Sequence, residues 1–570
     1  MPKSLDPRHP NPWRIPLWGW GVVAVVSAMG YAAVKTLGGG EADISLPPGF
    51  SIRTGEDSGG SSGVGAPSGG PGSLGDLIAA TVPGESDRFR ASIAVLPLEN
   101  RTGDTLFDTL GNGMTEELIT RLSRIRGLKV ISQQSVRELE GLRLTVAQVA
   151  DTLGVDHLLK GTAFLHQEAA RIEVRLLKVE EEAELWRNDY SIDRTNQMRA
   201  VEDISDEVSA ALLEEVPTLS LRGSPRATDS PGYVSYLAGS RLLNTRTRDG
   251  LIRAIDAFMS AVESDSTFAL AYAALSSAYA LSITYRYDIG VDAYSSAGLA
   301  LNAAGHAVRL DPELAEAYAA RGYISSVALA PAQMVLEDFT RALEIQPNAP
   351  NVPAWYANLL VREGYFDQAL AEAQRAVELD PLSPARRTGL AYEALRARDY
   401  DLAIDQARTA RTLGKEVILP RAIQALALLL SGRAEECLDL DLGPHAGIRA
   451  MCLHDLGRVD QAEAITDSLR AAVQAGEQAH PDFTNVIPAG DLAAYLAWTG
   501  SPDRALPWVH RAYALSPSGI DPRVLESGVF GQLLANAQMR REVAEIRDRI
   551  WTRVLGELVE AEADLGRRKN

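Results

Sequence analysis

The chain has 570 residues, 46% apolar and 23% charged, enough to build more than one folded core. A formal net charge of −19 works against a phosphate-seeking surface, and so against nucleic acid as a partner. Two cysteines, Cys437 and Cys452, are too few for a disulfide framework and wrongly spaced for zinc; buried thiols and one bond across adjacent helices are the two readings left.

Residues 1–16 form a short tail with Lys3, Arg8 and Arg14 against a single acid, Asp6. Residues 17–37, LWGWGVVAVVSAMGYAAVKTL, carry no charge before Lys35. At about 1.5 Å per residue such a helix crosses a hydrocarbon core of about 30 Å. Trp18 and Trp20 suit one interface, and the positive tail predicts a cytoplasmic N-terminus with everything after the helix exported. A retained anchor is expected; the alternative is a signal peptide cut near Ala32 and Ala33. Residues 38–89 are mostly Gly, Ser and Pro and predict a flexible tether. Within it, Gly59, Ser61 and Gly63 satisfy G-x-S-x-G, but no strand or helix flanks them as a nucleophile elbow requires.

Residues 90–218 predict an α+β domain. SIAVLPL, from Ser92 to Leu98, reads as a buried strand. Residues 104–125 have helical periodicity, with Leu110, Met114, Leu118, Ile119 and Leu122 on one side. A second strand follows at 128–132, and then a short helix capped by Thr145 and ending at Gly154. Alternating runs at 156–167, 171–180 and 184–193 predict an antiparallel meander, closed by a helix over about 198–215.

The successive segments IAVLPLENRTGD, MTEELITRLSRIRGLKVISQQSV, ADTLGVDHLLKGTAFLHQ and ELWRNDYSI resemble the amino-terminal domain family related to TolB and the flagellar FlgO proteins. The resemblance rests on Pro97, Asn100, residues 115–118, Ser132, Gly154, Asp156, Gly161, and Trp186 with Tyr190. It implies a bacterial unit that precedes tetratricopeptide repeats in transmembrane regulators of the CadC type, receptor-like kinases and adenylate cyclases. It transfers no catalytic residue. Glu181, Glu182 and Ala183 stand where the family usually has a Thr-Gly turn. Residues 1–16 are too few to form the DNA-binding, kinase or cyclase module that such chains carry before the membrane helix. The expected location is therefore a bacterial inner membrane, single-pass, with the bulk in the periplasm.

From residue 232 the pattern is periodic. In GYFDQALAEAQRAVELDP, which ends at Pro381, Phe366, Ala369 and Ala376 recur 34 residues later as Tyr400, Ala403 and Ala410. Pro347 precedes Pro381 by the same interval. Weaker copies hold Ala254, Phe258 and Ala261; Ala300, Ala307 and Pro312; Gly457 and Ala462; and Gly500, Ala505, Ala512 and Pro517. A degenerate copy spans 432–440. Alanines let antiparallel helices approach, an aromatic at Phe366 or Tyr400 is expected to fill the wedge between repeats, and Pro381 separates one helix from the next. The spacing resembles the tetratricopeptide repeat family over 232–517, with capping helices and a tail at 518–570, although the family's first-helix Trp and Gly are often missing. The predicted fold class is thus one transmembrane helix, an α+β domain and an all-α superhelical solenoid.

No catalytic, cofactor or metal-ligating set emerges. Eight histidines are scattered without H-E-x-x-H, and His157 and His166 are expected half-exposed on one strand. Asn100-Arg101-Thr102 matches a glycosylation sequon. Register with Ala369 predicts Asn358, Arg362, Tyr392 and Arg396 on the concave face, where they would hold a peptide backbone or carboxylate. Ala354 and Thr388 occupy positions where the family's clamp for a terminal carboxylate has basic residues. The expected function is a non-enzymatic scaffold binding a protein or peptide along the groove. The alternative is the ligand-sensing part of a transmembrane regulatory system whose effector is on another chain.

Overall fold

The computed structural model describes most of residues 89–516 and residues 537–567, with short breaks, and two strands nearer the N-terminus. Those two, β1 (Ile44–Ser45) and β2 (Ser51–Ile52), pair antiparallel. The segment at 17–37 and the G-x-S-x-G triplet lie outside the described residues. Among the described residues no helix is long and apolar enough to cross a membrane.

The α+β domain runs β3 (Ala91–Val95), β4 (Glu99–Asn100), α1 (Leu106–Leu122), β5 (Ile125–Arg126), β6 (Leu128–Val130), α2 (Gln133–Arg137), α3 (Val146–Leu153), β7 (His157–His166), β8 (Ala169–Lys178), β9 (Ala183–Ile192), α4 (Gln197–Glu215) and β10 (Ser220–Leu221). Its main sheet has the order β6-β3-β7-β8-β9, with β4 beside β7. Pairing is parallel from β6 through β7 and antiparallel from β7 through β9. Alternation along β3 splits the core into two layers. Ile93 and Val95 join Leu118 and Leu122 of α1 and Ile204 and Val208 of α4, whereas Ala94 joins Val136, Val149 and Leu153 of α2 and α3. Helix α3 starts on a reciprocal cap between Thr145 and Gln148 and stops at Gly154, whose φ of 62° favours glycine. His157 is buried rather than half-exposed, because β7 is an interior strand; its Nδ1 lies 3.1 Å from the Ser92 carbonyl.

The rest is helical. In order come α5 (Tyr233–Asn244), α6 (Arg248–Ser264), α7 (Ala269–Tyr285), α8 (Ala293–Leu310), α9 (Ala315–Val327), α10 (Ala332–Ile345), α11 (Val352–Arg362) and α12 (Phe366–Leu379). They continue as α13 (Pro384–Arg396), α14 (Tyr400–Leu413), α15 (Leu419–Leu430), α16 (Ala434–Leu438), α17 (Ala446–Asp455), α18 (Val459–Ala479), α19 (Val486–Trp498), α20 (Pro502–Leu515) and α21 (Ala537–Arg567). From α5 to α20 successive helices pair as hairpins, and each hairpin packs on the next. Ala254, Ala261, Ala369, Ala403, Ala462, Ala505 and Ala512 are wholly buried, as close helix crossings demand.

The aromatic wedge departs from expectation. Phe366 is 40% exposed and Tyr400 half-buried; the wholly buried rings are Phe258, Phe339 and Tyr356 instead. Phe339 meets Tyr356 edge-on at 6.2 Å. It also seats against Gly322, where an added Cβ would come within 2.8 Å of the ring. Cys437 on the five-residue α16 is bonded to Cys452 on α17, so of the two sequence readings the structure selects the disulfide.

Two long-range contacts shape the whole. The last helix, α21, packs on α8, where Gly298 faces the backbone of Glu557 and Leu558. Around it the Arg553 guanidinium lies 3.7 Å from the Tyr294 ring centroid, and Tyr294 donates its hydroxyl to the Tyr513 carbonyl at 2.6 Å. The solenoid therefore closes into a turn. The α+β domain, meanwhile, docks on loops between successive hairpins. Ser132 and Ser135 donate to Asp380, and the Asn348 amide donates to the carbonyls of Ile125 at 3.0 Å and Leu128 at 2.6 Å.

Candidate functional site

The first helices of the hairpins, α5, α7, α9, α11, α13, α15, α17 and α19, carry the positions that the repeat register assigns to the inner side. Of the four predicted contact residues, Asn358 is exposed and donates to the Ala354 carbonyl at 2.7 Å. Arg362 is half-buried, its Nε on Glu363 at 2.9 Å. Tyr392 and Arg396 do not line an open groove. They are 3% and 5% exposed, and they engage each other, with Arg396 Nη1 donating to the Tyr392 hydroxyl at 2.8 Å and its guanidinium lying over the ring. The reason is that α13 is flanked on both sides by α11 and α15, so side chains at this register are covered by their neighbours.

A different set converges nearby. Tyr323 of α9 stacks on Trp355 of α11 with ring centroids 4.4 Å apart and planes 9° apart. Its hydroxyl sits 2.7 Å from Thr284 Oγ1 on α7. Just beyond Thr284, Tyr285 and Tyr287 stack at 5.7 Å, and the Tyr287 hydroxyl donates to the Arg246 carbonyl at 2.9 Å. Arg246 occupies the loop between α5 and α6 with φ 54°, a left-handed conformation uncommon for a residue other than glycine. Arg386, at the start of α13, is 8% exposed and donates to Asn351.

The electrostatics are unfinished. Arg246 Nε and Nη1 and Arg386 Nε are buried without a hydrogen-bond acceptor among the described residues. The nearest carboxylate to Arg386, Asp380, stands 3.9 Å away and is already engaged by Ser132 and Ser135. Burial pulls the Arg386 pKa below its ordinary value; Asp380 opposes that and Arg246 adds to it, with Tyr285 and Tyr323 within the same field. A guanidinium does not shed its proton in a protein, so relief has to come from an anion. Buried donors left unmade cost roughly 1–3 kcal/mol each, more when charged. Residues from α7, α9, α11, α13 and the loop after α5 thus present cations and aromatic faces to one place, a planar-anion chemistry.

Repeat register missed Arg246 and Arg386 because neither holds a repeated position. No local signal marks either cation; the stretch ITYRYDIG after residue 282 marks only the stacked Tyr285 and Tyr287 beside them. Among the described residues no group of three or more His, Cys, Asp or Glu is placed to hold a metal. Asn100 accepts from the Thr102 amide at 2.9 Å and hydroxyl at 2.7 Å, an ordinary turn.

Residues 89–208 match the family described as HilA/YgeH-like transcriptional regulator, second domain. A protein named putative adenylate cyclase 3, from Rhizobium meliloti (strain 1021), is 29% identical over 160 residues, which is 28% of this chain. The chain spans about a quarter of that relative, 26% of its length. Among solved structures, a thermophilic TPR protein of Thermus thermophilus overlaps 35% of this chain and 99% of its own at 18% identity and TM-score 0.29. The human IFIT1 dimer with m7Gppp-AAAA overlaps 56% and 77% at 14% identity and TM-score 0.34. The hairpin stacking and its 34-residue register make the helical part a tetratricopeptide-type repeat solenoid.

Proposed function

We propose that the chain is an exported scaffold, held to a bacterial inner membrane by residues 17–37, that binds a protein or peptide partner on the inner side of its repeat turn. The observation that carries this reading is the set of buried guanidinium donors on Arg246 and Arg386 that lack acceptors among the described residues, framed by stacked aromatics. An acidic side chain of a partner supplies the missing acceptor, with Asn358, which is exposed and which register assigns to the inner side, as a further contact. Asn351, already bonded to Arg386, holds that cation in place. The strongly acidic overall charge supports a polypeptide partner over nucleic acid. The Cys437–Cys452 bond suits an oxidising compartment and so supports export. No catalytic or cofactor role is proposed.

Affinity capture from detergent extracts with the wild-type chain and with Arg246→Gln plus Arg386→Gln tests this. The partner recovered by wild type is expected to disappear from the double variant while the fold, read by circular dichroism, persists. An unchanged set of captured proteins rejects the inner-side site. Protease accessibility on intact and permeabilised cells tests the topology separately.

A second reading has its own support. The match of residues 89–208 to a regulator's second domain, the partial likeness to a protein named as an adenylate cyclase, and the resemblance to TolB and FlgO-related domains favour a sensing role relayed to a separate effector. Thermal shifts of the full chain in detergent across a ligand panel would report it, and no shift anywhere would remove its basis.

A further inference from the structure

Strand β9 ends the main sheet, and among the described residues no strand pairs with its outer side. A ten-residue edge presents a row of unmatched backbone donors and acceptors, which invites pairing unless it is bent or blocked. The irregularity in the β8–β9 ladder lies between Leu176 and Leu177, so Trp186 onward pairs in unbroken register and offers a straight edge.

The charges on that edge are mismatched within the chain. Arg187 lies directly opposite Arg175, and Asp189 directly opposite Glu173. Like charges facing each other across a ladder are unfavourable. Arg187 relieves its side by reaching diagonally to Glu173, while Asp189 has no side-chain partner among the described residues. Trp186 and Tyr190 are left half-buried on the α4 side, with Trp186 Nε1 and Asn188 Nδ2 both donating to Glu207. Two charges and two aromatic rings are therefore arranged symmetrically about one exposed, uncharged residue, Asn188.

We propose that β9 is a dimerisation edge, on which a second copy of this chain pairs antiparallel about a twofold axis through Asn188. In that register each Arg187 faces the other copy's Asp189, and each Trp186 faces the other copy's Tyr190. Both mismatched charges gain an opposite neighbour, the aromatic rings cover one another, and the two sheets become continuous. A register slipped by one residue places the rings opposite charges, so the pattern selects this one. Glu207 remains on its own Trp186 and Asn188 in each copy, and repulsion between the two Glu207 carboxylates is the opposing contribution.

The test uses the full-length chain in detergent. The chain's two cysteines are bonded to each other, so Asn188→Cys introduces one free thiol on the axis. Mild oxidation is expected to give a covalent dimer with Asn188→Cys and none with Glu173→Cys, one strand inward. By sedimentation, Arg187→Asp should weaken dimerisation at least about tenfold, and adding Asp189→Arg should restore it, because the pair is re-formed with reversed sign. The exchange also sets opposite charges against Arg175 and Glu173 within one copy, so the melting temperature of each variant is read beside its association, and rescue counts only where association recovers between variants of equal stability. Should Arg187→Asp fail to fold, the cross-linking comparison decides alone. A wild-type chain that stays monomeric at about 10 μM, an Asn188→Cys chain that does not cross-link, or a double variant that stays as weak as the single one overturns the proposal.

Discussion

Ser135 of α2 donates its hydroxyl to Asp380, at the end of α12, across 2.6 Å of space and 245 residues of chain. The same hydroxyl accepts from the Leu382 amide at 2.9 Å, and Ser132 donates to the same carboxylate oxygen. One buried carboxylate thus ties the α+β domain to the rim of the solenoid. Asp380→Ala leaves two buried hydroxyls without their acceptor, and the expected cost is about 1–3 kcal/mol. Calorimetry should show the single unfolding transition of the coupled domains separating into two, with Asp380→Asn intermediate because it keeps one acceptor. A variant that melts as wild type would show that the docking does not depend on this carboxylate.

Closure of the turn has its own marker. A Cβ on Gly298 would lie 2.8 Å from the Glu557 carbonyl carbon and 2.9 Å from the Leu558 nitrogen. In an isolated helix, Gly→Ala stabilises by about 1 kcal/mol. In α8, Gly298→Ala must displace the backbone of α21, so a net loss of about 1–3 kcal/mol is expected, with faster amide exchange over residues 537–567. The sign decides the matter. A stabilised variant with unchanged exchange means that α21 does not seat on α8.

What the chain revealed in advance, and what it hid, follows from the range of each interaction. The crossings at Ala369 and Ala403 were legible because helix approach depends on residues a fixed number of positions apart, and the cap at Thr145 because its partner Gln148 is three residues away. Phe366 was misplaced because register tells which face a residue occupies without telling which neighbour closes over it. For the same reason register alone puts Tyr392 and Arg396 in the groove, whereas both are buried. Arg246 and Arg386 escaped notice because their meeting needs the solenoid to curve, and curvature accumulates over helices that carry no mutual pattern. The contact of Tyr294 with Tyr513, 219 residues on, lay beyond any periodicity.

The Cys437–Cys452 bond spans a sequence separation of 15 and staples the short α16 to α17. In the chain-entropy picture a loop of that size contributes about 3 kcal/mol by restricting the unfolded state. Reduction, or Cys437→Ser with Cys452→Ser, should lower the denaturant midpoint accordingly. Exchange should rise first in α16, which has one turn of helix and little else to hold it. An oxidised and a reduced chain with equal midpoints would contradict a bond in the folded protein.

Asp491 supplies the pH dependence. It sits on α19 and accepts from the Gly447 amide at 2.9 Å, with His445 Nδ1 4.0 Å away. Burial raises its pKa to about 7, and the Gly447 amide and Arg286 hold it back from rising further. A carboxyl whose folded value exceeds its unfolded one takes up a proton on folding. Its contribution is therefore most favourable at acid pH and is lost as pH climbs from about 4 to about 7. Asp491→Asn keeps an acceptor for Gly447 while removing the charge. The variant should be more stable than wild type at pH 8 by about 1–3 kcal/mol, equal to it near pH 4, and flatter in between. Chemical denaturation at a series of pH values measures this directly, and parallel curves for the two proteins would show that folding does not raise the Asp491 pKa.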